Sequence, residues 1–592
     1  MSSLKDLASL IMIPSLVKDG RLDTVKPLGN SIIHPDATGN NDGTDGSTPA
    51  EGNFTFSRGS NLSATRVNAS QLIEKGRENV LLYSQDFSQG AWSKTNLSLT
   101  ANQTDPLGGT NAFLFTSTSA SSNLFVQSLS NQNKVCSIYA KAGNRSIFAI
   151  VNNAYGNGAT FNLSAETAVS SGQGSLAVIE DVGNGWFRCS VYFSLGTQFL
   201  VVLSDVNGNG YSNGDTISFF GSQMELGTIA TPYIETGAST AQAGILENTP
   251  RLDYSGGATC PSLLLEPSRT NLITQSEYFG SADWSGSGGV VVNTAISPSG
   301  YQDADTGNNI YTSTGVGDAT TLHANSIFAK ANPSGSSILL LRVNRYGSGV
   351  DYNECTFNLS NGTASAVTTG GTASSASAEI EDYGNGWYRC ILTGIASTTA
   401  GVISFNPQNN CFIWGAQVEA GSYPTSYIPT YGVSQTRAGE GKVLTGASNI
   451  IGQTEGSVYF EFTRDGFAAY TQRILTLSNG TNSNIIGFQL AASNSITFYV
   501  INNDSLQAII TKPNATIANQ KVKVAAGYAE NDFVLYIDGV QVGAATSGTI
   551  PSTSVVQNNR PTGGTPFIGN IYSTLLFPTR LTNAELAALT TI

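Results

Sequence analysis

The residues best patterned to hold an ion are Asp205-Val206-Asn207-Gly208-Asn209-Gly210. Alternate side-chain oxygens around a turn-making glycine are the first half of a calcium loop. The bidentate glutamate that should close such a loop at its twelfth position is Thr216, with Asp215 beside it. The related stretch later in the chain, Pro407-Gln408-Asn409-Asn410, has no such pattern. The expectation is a β-turn loop. Calcium on Asp205, Asn207, Asn209 and Asp215 is the competing reading, and no other cofactor is expected.

Catalysis has little to draw on. There are two histidines, His34 and His323, so a Ser/His/Asp triad is not expected. A glycosidase needs two carboxylates about 5 to 10 Å apart across one bond. The doublets Glu180-Asp181 and Glu381-Asp382 are adjacent on extended chain, so their side chains point to opposite faces. They read as solvated residues flanking a turn, and the chain reads as a non-enzyme. The six cysteines form no C-x-x-C pair, which argues against a zinc site and for buried free thiols. Sugar binding would use exposed aromatic rings. Tyr155, Tyr346 and Tyr352 lie in Gly-rich loops and are the candidates. The tryptophans Trp92, Trp186, Trp284, Trp387 and Trp414 read as core anchors.

These residues sit on a duplicated frame. Ser137-Ile138-Tyr139-Ala140-Lys141-Ala142 matches Ser326-Ile327-Phe328-Ala329-Lys330-Ala331. Gly183-Asn184-Gly185-Trp186-Phe187-Arg188-Cys189 matches Gly384-Asn385-Gly386-Trp387-Tyr388-Arg389-Cys390. Gly221-Ser222-Gln223-Met224-Glu225 with Tyr233-Ile234 matches Gly415-Ala416-Gln417-Val418-Glu419 with Tyr427-Ile428. Each copy is longer than any solenoid repeat and must be a whole domain. Asn-Gly turns between alternating strands predict two packed antiparallel sheets, so the fold class is all-β, a row of tandem β-sandwiches of the jelly-roll type. In the turn block, Trp186 and Arg188 should share one face, Phe187 and Cys189 the other.

From about residue 441 the pattern changes. Phe533-Val534-Leu535-Tyr536-Ile537 runs into an Asp538-Gly539 hairpin turn, and Thr582 or Asn583 can cap one terminal helix. The expected domains are 1–51, an anchor and linker; 52–244 and 245–440, the two repeats; and 441–592, a third sandwich. The net charge of −13, without a Lys/Arg cluster, argues against nucleic acid. No run approaches the roughly 20 apolar residues that span a bilayer. The apolar stretch with Leu7, Leu10, Ile11, Ile13 and Leu16 contains Pro14 and makes a poor signal peptide.

The repeated openings, turns and closings over residues 52 to 440 resemble modules of bacteriophage tail and appendage proteins, similar to carbohydrate-binding jelly rolls. The hairpin Tyr536-Ile537-Asp538-Gly539-Val540, the strand Ile568-Gly569-Asn570-Ile571-Tyr572 and the terminal helix resemble a laminin-G/concanavalin-A-like domain over 445 to 592. The start of the chain resembles that of phage appendage proteins. The resemblance implies a head or tail fibre of a virion, made in the host cytoplasm, released by lysis and commonly homotrimeric. Its partners would be capsid, portal or tail proteins and the host surface polysaccharide, with Leu7 to Leu16 docking on the particle. A bacterial surface adhesin or glycan-binding protein, and a polysaccharide depolymerase, are the alternatives.

Overall fold

The computed structural model describes residues 7–18, 21–26, 31–33, 54–59, 62–121, 124–172, 174–286, 289–464, 471–515 and 520–591. His34 lies outside them.

The fold is all-β, with antiparallel sheets and, among the described residues, one capped α-helix, Asn583–Thr590. Thr582 is its N-cap: its hydroxyl accepts from the Glu585 N–H, and the Glu585 carboxylate reaches back to the Thr582 N–H. In the first repeat, Leu124–Ala142 and Trp186–Val202 are long enough to pair at both ends and join the layers of the sandwich into one bent sheet. In the second, the layers separate. One contains His323–Lys330, Trp387–Ile395 and Phe412–Ala420, and the other Ile338–Arg345, Tyr352–Asn358 and Ile403–Gln408. Trp186 packs with Tyr139 and Phe220 on one face while Phe187 and Cys189 enter the main core, as alternation requires. All five tryptophans are buried.

The blocks shared by the copies turn out to be a buried polar frame. The Asn79 amide donates to the Ser222 and Ile234 carbonyls and accepts from the Leu81 and Met224 N–H groups. Asn271 repeats all four bonds with Ala416, Ile428, Ile273 and Val418. Ser84 meets the Tyr233 hydroxyl at 2.6 Å, and Ser276 meets Tyr427 at 2.6 Å. A fully satisfied buried amide pins the opening strand to the closing one, and its loss leaves several buried groups unpaired.

The domain boundaries differ from those expected. Leu10–Lys18 is a strand of the C-terminal sandwich, pairing Leu10 with Leu576 and Met12 with Thr574. Thr55–Ser57 pairs with Gly441–Leu444 of the same sandwich, and Ser262–Leu265 pairs with Gly569–Phe577. Leu10, Met12, Leu252, Leu263 and Leu265 all belong to the C-terminal core. The chain therefore leaves this sandwich, builds the first repeat, returns, builds the second and returns again. The repeats are excursions from a hub, not links of a row. The hairpin Thr65–Val67 with Ile73–Lys75, expected at the start of the first repeat, packs on the second instead.

The expected docking segment is corrected on the same ground. Leu10 enters the sandwich core, and Ile11 lies in the layer under the terminal helix, with Leu586 and Leu589. Ile13 packs against that layer, Leu16 continues the strand, and Leu7 is 43% exposed. An apolar stretch that docks on a partner and a strand covered on both faces have the same composition.

Lys442, buried in this sandwich, reaches the Met12 sulfur at 3.3 Å and the Phe54 ring at 4.3 Å. Burial pushes its ammonium down to about 7. Leu10→Ala should lower stability by about 2 to 5 kcal/mol in chemical denaturation, as a large-to-small core change does. Because the unfolded chain binds the Lys442 proton more tightly, its contribution to stability rises with pH between about 7 and 10. Lys442→Met should therefore raise the melting temperature more at pH 6.5 than at pH 10.

Candidate functional site

A cleft of about 790 Å³ opens where the second repeat, the hairpin at 65–75 and the C-terminal sandwich meet. Its walls come from elements distant in sequence. Glu379 and Glu381 lie two apart on Ser374–Asp382 and share a face. Tyr383 follows them into the Gly-Asn-Gly turn, where Asn385 has a φ of 53°. Tyr423 comes from the closing loop of the repeat, Arg66 from the hairpin, and Asn570 and Tyr572 from the C-terminal sandwich.

The tyrosines are positioned by contacts behind or beside their rings. Tyr383 stands edge-on to Phe328 with centroids 4.9 Å apart. The Arg269 guanidinium lies 5.6 Å from the Tyr423 ring and the Lys521 ammonium 3.9 Å from Tyr572. Most of the carboxylates have structural duties. Asp253 accepts from the Val67 and Ser255 N–H groups at 3.0 and 3.2 Å. Asp382 accepts from the Gly384 N–H at 2.8 Å. Glu381 is half-buried; burial raises its pKa against the pull of Arg389, and Glu379 adds to the rise. Arg389 donates to the Thr425 carbonyl at 2.8 Å. Half-buried rings beside fixed donors and acceptors suit a polar ligand with apolar faces.

Beneath the cleft lies a buried charge cluster. Arg251 pairs with Glu266 at 2.6 Å and with Glu440; Arg437 pairs with Glu266 at 2.9 Å, and Arg58 with Glu440 at 3.1 Å. Glu266 also accepts from Ser426 N–H and hydroxyl, both at 2.6 Å. Burial alone would raise the Glu266 pKa, but Arg437 and Arg251 outweigh it and hold the group at about 2.

The residues singled out from sequence lie elsewhere. Tyr155 is 41% exposed at the rim of the first repeat, its hydroxyl 2.5 Å from that of Tyr211. Tyr346 donates to the Ser313 carbonyl at 2.6 Å, and the Arg342 guanidinium covers the Tyr352 ring at 3.9 Å. None of the three lines the cleft. In the Asp205 loop, the Asp205 carboxylate accepts from the Asn207 and Asn209 N–H groups at 2.9 and 2.8 Å and from the Asn209 amide at 3.0 Å. Arg145 pairs with Asp215 at 2.8 Å and donates to the Gly210 carbonyl. A fixed arginine thus pairs with Asp215 and caps the Gly210 carbonyl, while the Asp205 carboxylate is taken up by N–H donors of its own turn. Among the described residues no three His, Cys, Asp or Glu side chains cluster as metal ligands. His323 is buried at the start of its strand, Nδ1 2.9 Å from the Thr321 carbonyl oxygen. Five cysteines are buried free thiols; Cys260 is free and exposed, a departure from the expected burial.

Tyr383 and Tyr423 were missed, though a signal for them exists. They replace Val182 and Ile229 of the first repeat, so the copies differ where the cleft forms.

Residues 437–587 match the family described as the concanavalin A-like lectin/glucanases superfamily. A sequence comparison with curated proteins gave no match. Among solved structures, a CBM40 of the Ruminococcus gnavus IT-sialidase bound to alpha2,3 sialyllactose is similar at 18% identity and a TM-score of 0.22, over 25% of this chain and 87% of that one. The NanB sialidase of Streptococcus pneumoniae is similar at 13% identity and a TM-score of 0.22, over 25% of this chain and 26% of that one. A SAP-like pentraxin from Limulus polyphemus is similar at 15% identity and a TM-score of 0.20, over 23% and 70%. Among the described residues no helix is long and apolar enough to cross a membrane.

The ion cluster makes a pH prediction. Glu266 is near 2 when folded and near 4.5 as a free side chain, so its stabilisation is complete above the unfolded value and is lost as pH falls toward 2. Linkage puts this at roughly 3 kcal/mol. Urea unfolding between pH 5.5 and 2.5 should show the loss, and Glu266→Gln should be less stable at pH 5.5 with a flatter pH dependence.

Proposed function

We propose that this chain is a glycan-binding structural protein of a phage particle, a head or tail fibre or similar appendage, and that it binds without turnover. The observation that carries the binding half is the cleft, with three tyrosines and fixed hydrogen-bonding groups beside a domain matching a lectin-like superfamily. The virion half is supported by the resemblance of the repeated blocks and the chain start to phage appendage modules. Particle proteins and host surface polysaccharide are then its partners, and a homotrimer is its expected assembly.

Binding is favoured over depolymerisation by how the cleft carboxylates are used. Asp253 and Asp382 hold backbone N–H groups, and Glu266 belongs to the ion cluster. Glu379 and Glu381 stand on one wall, whereas glycoside hydrolysis needs carboxylates on both sides of the bond. The adhesin alternative shares the cleft and differs only in where the protein resides.

Titration of purified chain with host surface polysaccharide should show saturable binding without release of reducing ends. Tyr383→Ala should weaken it about tenfold, close to 1.4 kcal/mol, at a temperature where circular dichroism shows the variant still folded. Absence of binding, or equal binding by the variant, would contradict the cleft assignment. Antibody labelling of particles in the electron microscope tests the virion half independently, and unlabelled particles would refute it.

A further inference from the structure

The two repeats differ at one more built position. In the first, Tyr83 to Lys94 forms a turn in which the Trp92 N–H donates to the Gln89 carbonyl at 3.1 Å and its indole N–H to the Tyr83 carbonyl at 3.0 Å. The Lys94 ammonium closes this turn, donating to the carbonyls of Phe87, Ser88 and Gln89 at 2.8, 3.4 and 3.3 Å. The second repeat keeps the same turn. The Trp284 N–H donates to the Ser281 carbonyl at 3.1 Å and its indole to Gln275 at 2.8 Å. The strand register also agrees: Lys94 stands opposite the core residue Phe125, and Gly286 opposite the core residue Ile310.

The lysine is absent from the second copy. Its place in sequence and register is taken by Gly286, and a pocket of about 270 Å³ opens there, lined by Phe279, Gly280, Ser281, Trp284, Gly286 and Asn308. Phe279, Gly280 and Ser281 are the counterparts of the three residues whose carbonyls hold the Lys94 ammonium. An ammonium carries three donors and no acceptor, so three carbonyls placed as those around Lys94 suit it. From this geometry we infer that the pocket beside Trp284 binds a primary ammonium group from outside the chain, in the place that Lys94 fills from within. Resting on the glycan-binding reading, the carrier of that group is an amino sugar with a free amine.

The test is calorimetric titration of the full chain with n-propylammonium, against 1-propanol as the uncharged counterpart at matched ionic strength. Saturable binding of the amine alone is expected. Lys94→Gly should open the matching cavity in the first repeat and add one further equivalent of amine. Gly286→Lys should abolish binding at the original site. A Cβ there would stand 2.8 Å from the Asn309 carbonyl oxygen, so this variant strains the strand, and Lys94→Gly decides if it misfolds. Equal heats for amine and alcohol, no saturable binding, or an unchanged stoichiometry in Lys94→Gly would overturn the site. Displacement of propylammonium by glucosamine but not N-acetylglucosamine would assign the sugar. Failure of glucosamine while propylammonium still binds would remove the sugar and, with it, the link to glycan binding.

Discussion

Arg58, Arg251 and Arg437 converge on Glu266 and Glu440, with Arg251 and Arg437 fully enclosed. Taking such charges out of water costs several kcal/mol each, and only close pairing offsets it. The members come from all three passages of the chain through the hub: Arg58 follows the first, Arg251 and Glu266 flank the second, and Arg437 and Glu440 lead into the third. No passage brings a complete set. The first brings an arginine alone, and the second and third each bring one arginine and one glutamate whose remaining ion pairs run to the other passages, so the cluster is complete only when all three are joined. Apolar packing in the same place would be less particular about register.

The rest of the molecule follows from that constraint. With both ends of each repeat returned to the hub, the second repeat is held against the C-terminal sandwich and the cleft forms over the join. Glu266 contributes directly, since it anchors the backbone and hydroxyl of Ser426 beside Tyr427. The hairpin at 65–75 is locked from its other side by Lys75, which meets both Glu277 oxygens at 2.9 Å and the Tyr431 hydroxyl at 3.2 Å. Burial would lower the Lys75 pKa, yet Glu277 and its neighbours outweigh it and raise it. The first repeat adds an edge-on contact between Tyr192 and Tyr278, 5.2 Å between centroids. The assembly has the character of one braced body, in which a cleft opens between modules.

Much of this was legible from sequence, and the reasons divide cleanly. The all-β class, the duplication and the faces of Trp186 and Phe187 follow from short-range periodicity and from blocks that repeat. The buried roles of Asn79, Ser84 and their partners explain why those blocks repeat at all. What escaped was long-range. Nothing local in Leu10 to Lys18 distinguishes a docking segment from a strand whose partner lies more than 550 residues away. The cluster arginines look like surface charges until three distant segments meet. Tyr155, Tyr346 and Tyr352 stand out by their Gly-rich setting, which marks exposure but not convergence. The cleft tyrosines were visible only by asking where the copies disagree: Tyr383 against Val182, Tyr423 against Ile229. Agreement between repeats marks the frame, and disagreement marks what each copy does with it.

The central claim is that one buried cluster couples three passages of the chain. Amide hydrogen exchange on the full chain carrying Glu440→Gln tests it most directly. The account predicts that protection falls together at residues 10–12, 263–265 and 441–444, while the core strands of the first repeat around Ile138 keep theirs. Loss confined to the segment around position 440, with the other two passages unchanged, would contradict it.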